Sequence, residues 1–240
     1  MGSLKGKTVY VSGASRGIGA AAAKVFAGAG ANVALLARGQ SDIADLAGEI
    51  GERALAIPCN VARYSDMMTA VEATVDTFGG LDVLINNAGL FEAIPLDASD
   101  EDWSAAWHKT LQINLTASAE LSRLAVLHWQ ERGVPGRIIH IASRAGHRGD
   151  SPAHWHYAAA KGGMLAMHKT IARAYAKDRI CSYAVTPGFT DTAMAGDYLE
   201  SRGGAGLLAD IPLGRVAEPD EIANIAVYCA LDAPESLTGA

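Results

Sequence analysis

Cysteine is scarce in this chain. Cys59, Cys181 and Cys229 are the only three among 240 residues, they stand far apart, and none forms a Cys-x-x-Cys pair. That spacing excludes a disulfide scaffold and a thiolate metal centre, and it reads as unpaired, mostly buried thiols in a cytoplasmic protein. Long apolar runs are missing as well: none approaches the roughly 18 to 20 residues that a bilayer span needs. The opening Met1-Gly2-Ser3-Leu4-Lys5-Gly6 lacks the Ser or Thr that myristoylation wants at position 6, and it has no signal-peptide character. Blocks of Lys and Arg are absent too. The 20 basic and 26 acidic residues leave a formal net charge of -6, which argues against nucleic acid or an anionic membrane as the main partner.

What is present describes a globular chain. Hydrophobic residues make up 50% and charged residues 19%, with no signature of disorder. The length suits a single α/β domain, residues 1–240, able to bury a large core. Short apolar runs alternate with amphipathic stretches. Thr8 to Ser12, Asn32 to Ala37, Arg53 to Pro58, Leu81 to Ile85, Arg137 to Ala142 and Ile180 to Thr186 read as strands. Ala20 to Gly28, Ser41 to Ile50, Ser65 to Phe78, Asp102 to Gln130, about Ala153 to Lys177, and Glu218 to Leu231 read as helices. Such alternation implies a parallel sheet covered on both faces. Phe189 to Asp210 is glycine-rich without periodicity and reads as a lid over a site, about residues 188–210.

Between the first strand and the first helix lies Gly13-x-x-x-Gly17-x-Gly19. Strand, glycine-rich turn and helix together aim backbone N–H groups at a phosphate. In a dinucleotide-binding unit, an acid about 20 residues beyond such a loop grips the ribose 2′-hydroxyl of NAD. No acid stands there. Arg38 occupies the place, Arg16 lies within the loop, and two planar guanidinium groups suit a 2′-phosphate, so NADP(H) is expected over NAD(H).

Tyr157 and Lys161 stand four residues apart in an alanine-rich helical segment, so they share one face. Alone, that spacing is common in helices. A cation about 4 to 5 Å from a phenol at an effective dielectric near 20 favours the phenolate by roughly 3 to 4 kcal/mol. Such a field would bring the tyrosine toward working pH for acid–base chemistry. Ser143 ends an apolar run, where a strand would hand its hydroxyl to a pocket. Asn114 sits mid-helix, where Asn is a poor choice unless it bonds backbone or serves a site. Asn86-Asn87-Ala88-Gly89 and Pro187-Gly188 close two further strands.

Taken in order, Ser12-Gly13-x-x-x-Gly17-x-Gly19, Asn86-Asn87-Ala88-Gly89, Asn114, Ser143, Tyr157-x-x-x-Lys161 and Pro187-Gly188 with Thr192 resemble the short-chain dehydrogenase/reductase family over essentially the whole chain. The 3-oxoacyl-acyl-carrier-protein reductases are among the members it resembles. The resemblance implies a doubly wound Rossmann-type sheet in the order 3-2-1-4-5-6-7, with NAD(P) across the strand carboxyl ends. It implies Tyr157 as general acid/base, Ser143 holding the substrate oxygen, Lys161 lowering the tyrosine pKa and binding the nicotinamide ribose, and Asn114 bending its helix and keeping a relay water. Cofactor contacts implied are Gly13, Ser15, Arg16, Gly17, Ile18, Gly19, Arg38, Asn60, Val61, Asn87, Ala88, Gly89, Tyr157, Lys161, Pro187, Gly188, Thr190 and Thr192. A homo-oligomer, tetramer or dimer, and carbonyl reduction or the reverse alcohol oxidation are implied likewise.

Three departures stand out. Ser12 replaces the commoner threonine and keeps a hydroxyl. Asn60 replaces an aspartate beside the adenine, where its carbonyl oxygen can still accept the amino proton. The sequence stops at Thr238-Gly239-Ala240, where relatives continue into a seventh strand, so six strands are expected if nothing follows. For the substrate, His154, Trp155 and His156 offer an aromatic wall with polar tips, and Phe189, Met194, Tyr198 and Leu199 a cover. Arg144, His147 and Arg148 make the rim basic. His154-x-His156 has no third ligand of fitting spacing, so no metal is expected. Two rival readings are an extended-branch epimerase or dehydratase, which differs in glycine spacing and needs a larger substrate domain, and a cofactor-sensing regulator, which tends to lose the Tyr or Lys.

Overall fold

The computed structural model of the protein describes residues 3–193, 208–209 and 211–240. Six strands, β1 (Thr8–Ser12), β2 (Asn32–Ala37), β3 (Ala54–Pro58), β4 (Val83–Asn86), β5 (Gly136–Ile141) and β6 (Ile180–Val185), form one sheet in the order β3-β2-β1-β4-β5-β6. Every neighbouring pair is parallel. The winding reverses between β1 and β4, and the crevice at that switch point is where a doubly wound sheet takes its ligand. Among the described residues no seventh strand forms. The last residues instead lie along the free edge of β6: Gly239 N donates to Ser182 O at 2.9 Å and Ala184 N to Ala240 O at 2.9 Å.

Among the described residues eight α-helices flank the sheet: α1 (Gly17–Gly28), α2 (Gln40–Ile50), α3 (Tyr64–Phe78), α4 (Asp100–Leu111), α5 (Ala117–Arg132), α6 (Ala145–Arg148), α7 (Trp155–Tyr175) and α8 (Pro219–Leu231). Alternate strand residues point to opposite faces, so each face builds its own core. On one side Val9, Val11, Val33, Leu35, Ile85 and Ile139 pack with residues of α1 and α8. On the other, Tyr10, Leu36, Leu84 and Ile138 pack with residues of α3 and α5 and with Ile171 of α7. Burying each large aliphatic or aromatic side chain here is worth about 1.5–3 kcal/mol. On the first of these faces Arg137 of β5 donates to Cys229 O at 2.7 Å and Ala233 O at 2.9 Å, setting a cation at the C-terminus of α8.

Two local features depart from the periodicity of the sequence. The long helix expected from Asp102 to Gln130 has a π-helical turn over Gln112–Thr116, centred on Asn114. A four-residue helix, α6, fills the connection from β5 to α7. All three cysteines are free and buried, as their spacing implied.

Candidate active site

The carboxyl ends of β1 and β4 are laced together by side chains. Ser12 Oγ donates to Ile85 O at 3.1 Å and accepts from Asn87 N at 3.0 Å and Ala88 N at 3.1 Å. Asn87 Nδ2 donates to Ser12 O and Gly13 O, both at 3.0 Å. That lacing fixes the loop from Gly13 onward. A side chain at Gly19 would run into the Gly13 carbonyl and the Asn87 amide, so the turn closes only around glycine. Gly17 has φ +56, and a Cβ there would stand 3.0 Å from Thr192 Cγ2, so the segment after β6 reaches back onto the loop. Ser15 and Ile18 are half-buried beside it. At the mouth, Arg16 precedes α1 without any side-chain cap, so the first N–H groups of α1 face the crevice. Uncapped donors beside a cradle with no room for a Cβ fit a dinucleotide pyrophosphate.

On the β2–β3 side, Arg16 and Arg38 are both exposed, and neither forms an ion pair among the described residues. Asn60 sits in a tight turn, its Oδ1 accepting from Ala62 N at 3.1 Å and its N–H donating to Asp66 at 3.1 Å. An amide oxygen has two lone pairs, so the Asn60 Oδ1 has capacity for a second donor. Val61 is buried behind it.

The acid–base candidates meet where β5 hands over to α6 and α7. Lys161 is only 4% exposed and donates to Ile141 O at 2.7 Å. Its ammonium lies 5.8 Å from the centre of the Tyr157 ring. The Ser143 hydroxyl lies close enough to the phenol to favour its ionised form, but burial outweighs it and pushes Tyr157 up, with Asp150 adding in the same direction. Spacing alone predicted the opposite sign for Tyr157. It omitted desolvation, which penalises the phenolate, and the Ile141 carbonyl, which holds the cation. Burial also brings Lys161 down to about 8.

Asn114 is fully buried and pairs twice with the backbone of Leu90, accepting from its N–H at 2.8 Å and donating to its carbonyl at 2.8 Å. The Asn114 side chain leaves the helix at its π-helical turn, and its two bonds pin the loop carrying Asn87, Ala88 and Gly89.

Around the phenol the structure sorts the candidate substrate residues. His154 is buried, stacks on Phe91 at 3.9 Å between centroids, and shares a 2.7 Å hydrogen bond with Ser151. Phe91 also meets Tyr157 edge-on at 4.7 Å. Sequence reasoning passed over Phe91; its place two residues beyond Gly89, at the open end of β4, was the available signal. His156 is buried, whereas Trp155 is 54% exposed and shares a surface cleft with Ile94, Trp103 and Trp107. Arg144 donates its N–H to Pro187 O at 3.1 Å and lays its guanidinium 4.3 Å from the centre of the Phe189 ring, beside Gly188. Thr190 is buried and bridges Ala217. Met194, Tyr198 and Leu199, and most of the expected lid, lie outside the described residues.

Comparison with known proteins gives this geometry a family. A family model described as Enoyl-(Acyl carrier protein) reductase matches residues 13–240. The chain belongs to the short-chain dehydrogenase/reductase family. The 3-oxoacyl-acyl-carrier-protein reductase FabG of Vibrio cholerae is 34% identical over 237 residues, spanning 98% of this chain and 94% of that protein. A short chain dehydrogenase from Bacillus anthracis superposes with a TM-score of 0.89 at 29% identity, covering 99% of this chain and 94% of its own. A 3-ketoacyl-(acyl-carrier-protein) reductase from Brucella melitensis, solved with NADH, gives 0.88 at 27% identity, covering 99% and 96%. Membership makes the chain an oxidoreductase with a nicotinamide dinucleotide cofactor, and its sheet is the family's Rossmann fold. Among the described residues no helix is long and apolar enough to cross a membrane, and no cluster of three metal-binding side chains occurs.

Proposed function

We propose that the chain interconverts a carbonyl and an alcohol with NADP(H), with Tyr157 as the general acid/base. The observation that carries this reading is the convergence at the carboxyl end of β5 of the Ser143 hydroxyl, the Tyr157 phenol and the Lys161 ammonium, on the same edge of the sheet as the uncapped N-terminus of α1. Bound NADP(H) supplies or accepts the hydride. Ser143 and Tyr157 hydrogen-bond the substrate oxygen, and Tyr157 protonates it as negative charge develops there. Lys161 keeps a positive charge beneath the phenol and donates to a ribose hydroxyl. Asn114 keeps the Leu90 loop in place and gives its π-turn to a relay water. Arg16 and Arg38 take the 2′-phosphate, which is why NADP(H) is preferred here. Phe91 and His154 line the substrate side of Tyr157.

Two of the relatives are named as 3-oxoacyl- or 3-ketoacyl-acyl-carrier-protein reductases, which favours ketone reduction as the working direction. The test is NADPH and NADH oxidation against a panel of ketones and 3-oxoacyl thioesters, with Tyr157→Phe beside the unaltered enzyme. Turnover lowered about 10²- to 10⁴-fold by Tyr157→Phe is expected. Tight cofactor binding with no turnover on any carbonyl, or full activity in Tyr157→Phe, would end this reading.

A further inference from the structure

Beneath Lys161, on the face of the sheet that α5 and α7 cover, lies a buried polar cluster with no part in the proposed chemistry. His140 on β5 and Asn86 on β4 are register partners, and His140 in turn pairs with Ala184 of β6. Ile138, two residues before His140 and on the same face, pairs with Ser182. His168, on α7, sets its ring 6.1 Å from that of His140. His140, Asn86, His168 and Ser182 are each at most 1% exposed. Among the described residues, His140 Nε2, His168 Nδ1, Ser182 Oγ and Asn86 Oδ1 have no hydrogen-bond partner. Buried polar atoms are almost always hydrogen-bonded, so several unpaired ones on one face point to a shared partner.

The neighbouring bonds fix which orphans donate and which accept. Ser122 Oγ gives its proton to Ser118 O at 2.6 Å, so it accepts from Asn86 Nδ2 at 3.0 Å. The same amide nitrogen, whose two hydrogens are shared with Ser118 O at 3.3 Å, stands 3.3 Å from His140 Nδ1; an amide NH₂ can only donate, so Nδ1 is assigned as the acceptor and the proton of the neutral ring to Nε2. His168 is bonded to the Ser182 backbone in the sense that favours a ring N–H donor. Its Nδ1 is the unpartnered atom, so Nε2 makes that bond and Nδ1 is left as an acceptor. One orphan is a donor and the other an acceptor, on rings whose centres lie 6.1 Å apart. A water that accepts from one and donates to the other, with a hydroxyl as third contact, has the two to four polar partners an internal water needs.

We propose that His140 and His168 are a positioning pair for Lys161, joined by a buried water that also contacts Ser182 Oγ. His140 directly precedes Ile141, whose carbonyl receives the Lys161 ammonium, and His168 stands two turns beyond Lys161 on the same face of α7. The bridge thus ties together the two elements whose spacing sets the Lys161–Ile141 bond. The charged or titratable groups facing the pair are Lys161 and, beside His168, Lys169, both from α7. Asn86 from β4 and Ser118 and Ser122 from α5 do not titrate. Two neutral imidazoles therefore leave Lys161 as the cation nearest the phenol on this side.

The inference rests on the acid–base role proposed for Tyr157 and Lys161, and two measurements on the full chain separate the two ideas. In ¹⁵N imidazole spectra of the unaltered protein at about pH 7.5 the proton of each neutral ring is expected on Nε2, and the His140 ring is expected to stay neutral at about pH 6. A proton on Nδ1 of His140 overturns the bridge whether or not the protein turns over any substrate. In kinetics, His140→Leu and His168→Leu are each expected to lower kcat about five- to tenfold with little change in KM. Each should also move the rising pH limb of alcohol oxidation to higher pH, and the double variant should lose no more than either single one. His140→Gln, which keeps an N–H donor near the Nε2 position, should recover most of the rate. Losses that multiply in the double variant, or a pH limb that stays in place, refute the positioning role. Should a leucine variant fail to fold, the tautomers of the unaltered protein and the His140→Gln kinetics still decide.

Discussion

Lys161 holds its ammonium 5.8 Å from the centre of the Tyr157 ring while donating to the Ile141 carbonyl at 2.7 Å. Burial acts on the two groups in opposite senses, bringing Lys161 down to about 8 and pushing Tyr157 up. Between about 8 and the ordinary lysine value of 10.5, the unfolded chain binds a proton that the folded site has released. Lys161 therefore makes the fold more stable as pH rises through that window, and below about 8 its burial penalty stands in full. Lys161→Met is expected to stabilise the fold at pH 7 by about 1–3 kcal/mol and to raise Tm by several degrees, while removing activity. Thermal unfolding at pH 7 and again near pH 9.5 checks this. The gain should be smaller at the higher pH, and an equal gain at both would place the lysine's titration elsewhere.

Arg38 stands exposed just past the end of β2, and it has no counterion among the described residues. Charge-assisted hydrogen bonds from a guanidinium to phosphate are worth about 1.5–3 kcal/mol. Arg38→Asp should therefore weaken NADPH binding about 10- to 100-fold and leave NADH nearly untouched. Titration of both cofactors by fluorescence decides it. Equal losses would show that Arg38 does not meet the 2′-phosphate.

Gly19 leaves no space for a β-carbon between the Gly13 carbonyl and the Asn87 amide, both of which belong to the lacing of β1 and β4. Overpacking at such a point costs about 1–3 kcal/mol and displaces the loop. Gly19→Ala is expected to lower Tm and to lose most cofactor affinity, whichever nucleotide is offered. Unchanged affinity in calorimetry would mean that the cofactor does not lie against this turn.

Much of this architecture was legible in the chain because local rules and the global fold agree. The β1 and β2 boundaries fall where short β-branched or apolar runs meet Ser12–Gly13 and Arg38–Gly39. The Tyr157–Lys161 pair was legible because a helix repeats its faces every three to four residues. What stayed hidden depends on contacts distant in sequence. The Asn114 bonds need Leu90 to arrive from another connection, and the stack on Tyr157 needs Phe91 and His154 to converge from two connections. The sign of the Tyr157 shift was misjudged for the same reason, since desolvation belongs to the folded surroundings rather than to spacing along one helix. His140 and His168 gave no signal at all, because each sits alone in an apolar pattern and gains its meaning only when β5 and α7 pack together.

His140 also makes acid sensitivity a test of the fold. Burial, then the nearby His168 and Lys161, bring it down to about 3 from the ordinary 6.5. The unfolded chain therefore takes up a proton between those values that the folded chain refuses. This contribution to stability is whole above about 6.5 and is lost as pH falls toward 3, at up to about 1.4 kcal/mol per pH unit. Lys161 adds nothing in this window, because it is charged in both states below about 8. His168, also brought down by burial, acts in the same direction as His140. Replacing His140 with Gln removes one titrating group and keeps a polar side chain. His140→Gln should thus shift its urea midpoint less than the unaltered protein does between pH 7 and pH 5. Parallel urea titrations at the two pH values measure the difference, and identical shifts would mean that His140 takes up its proton in the folded state as readily as in the unfolded one.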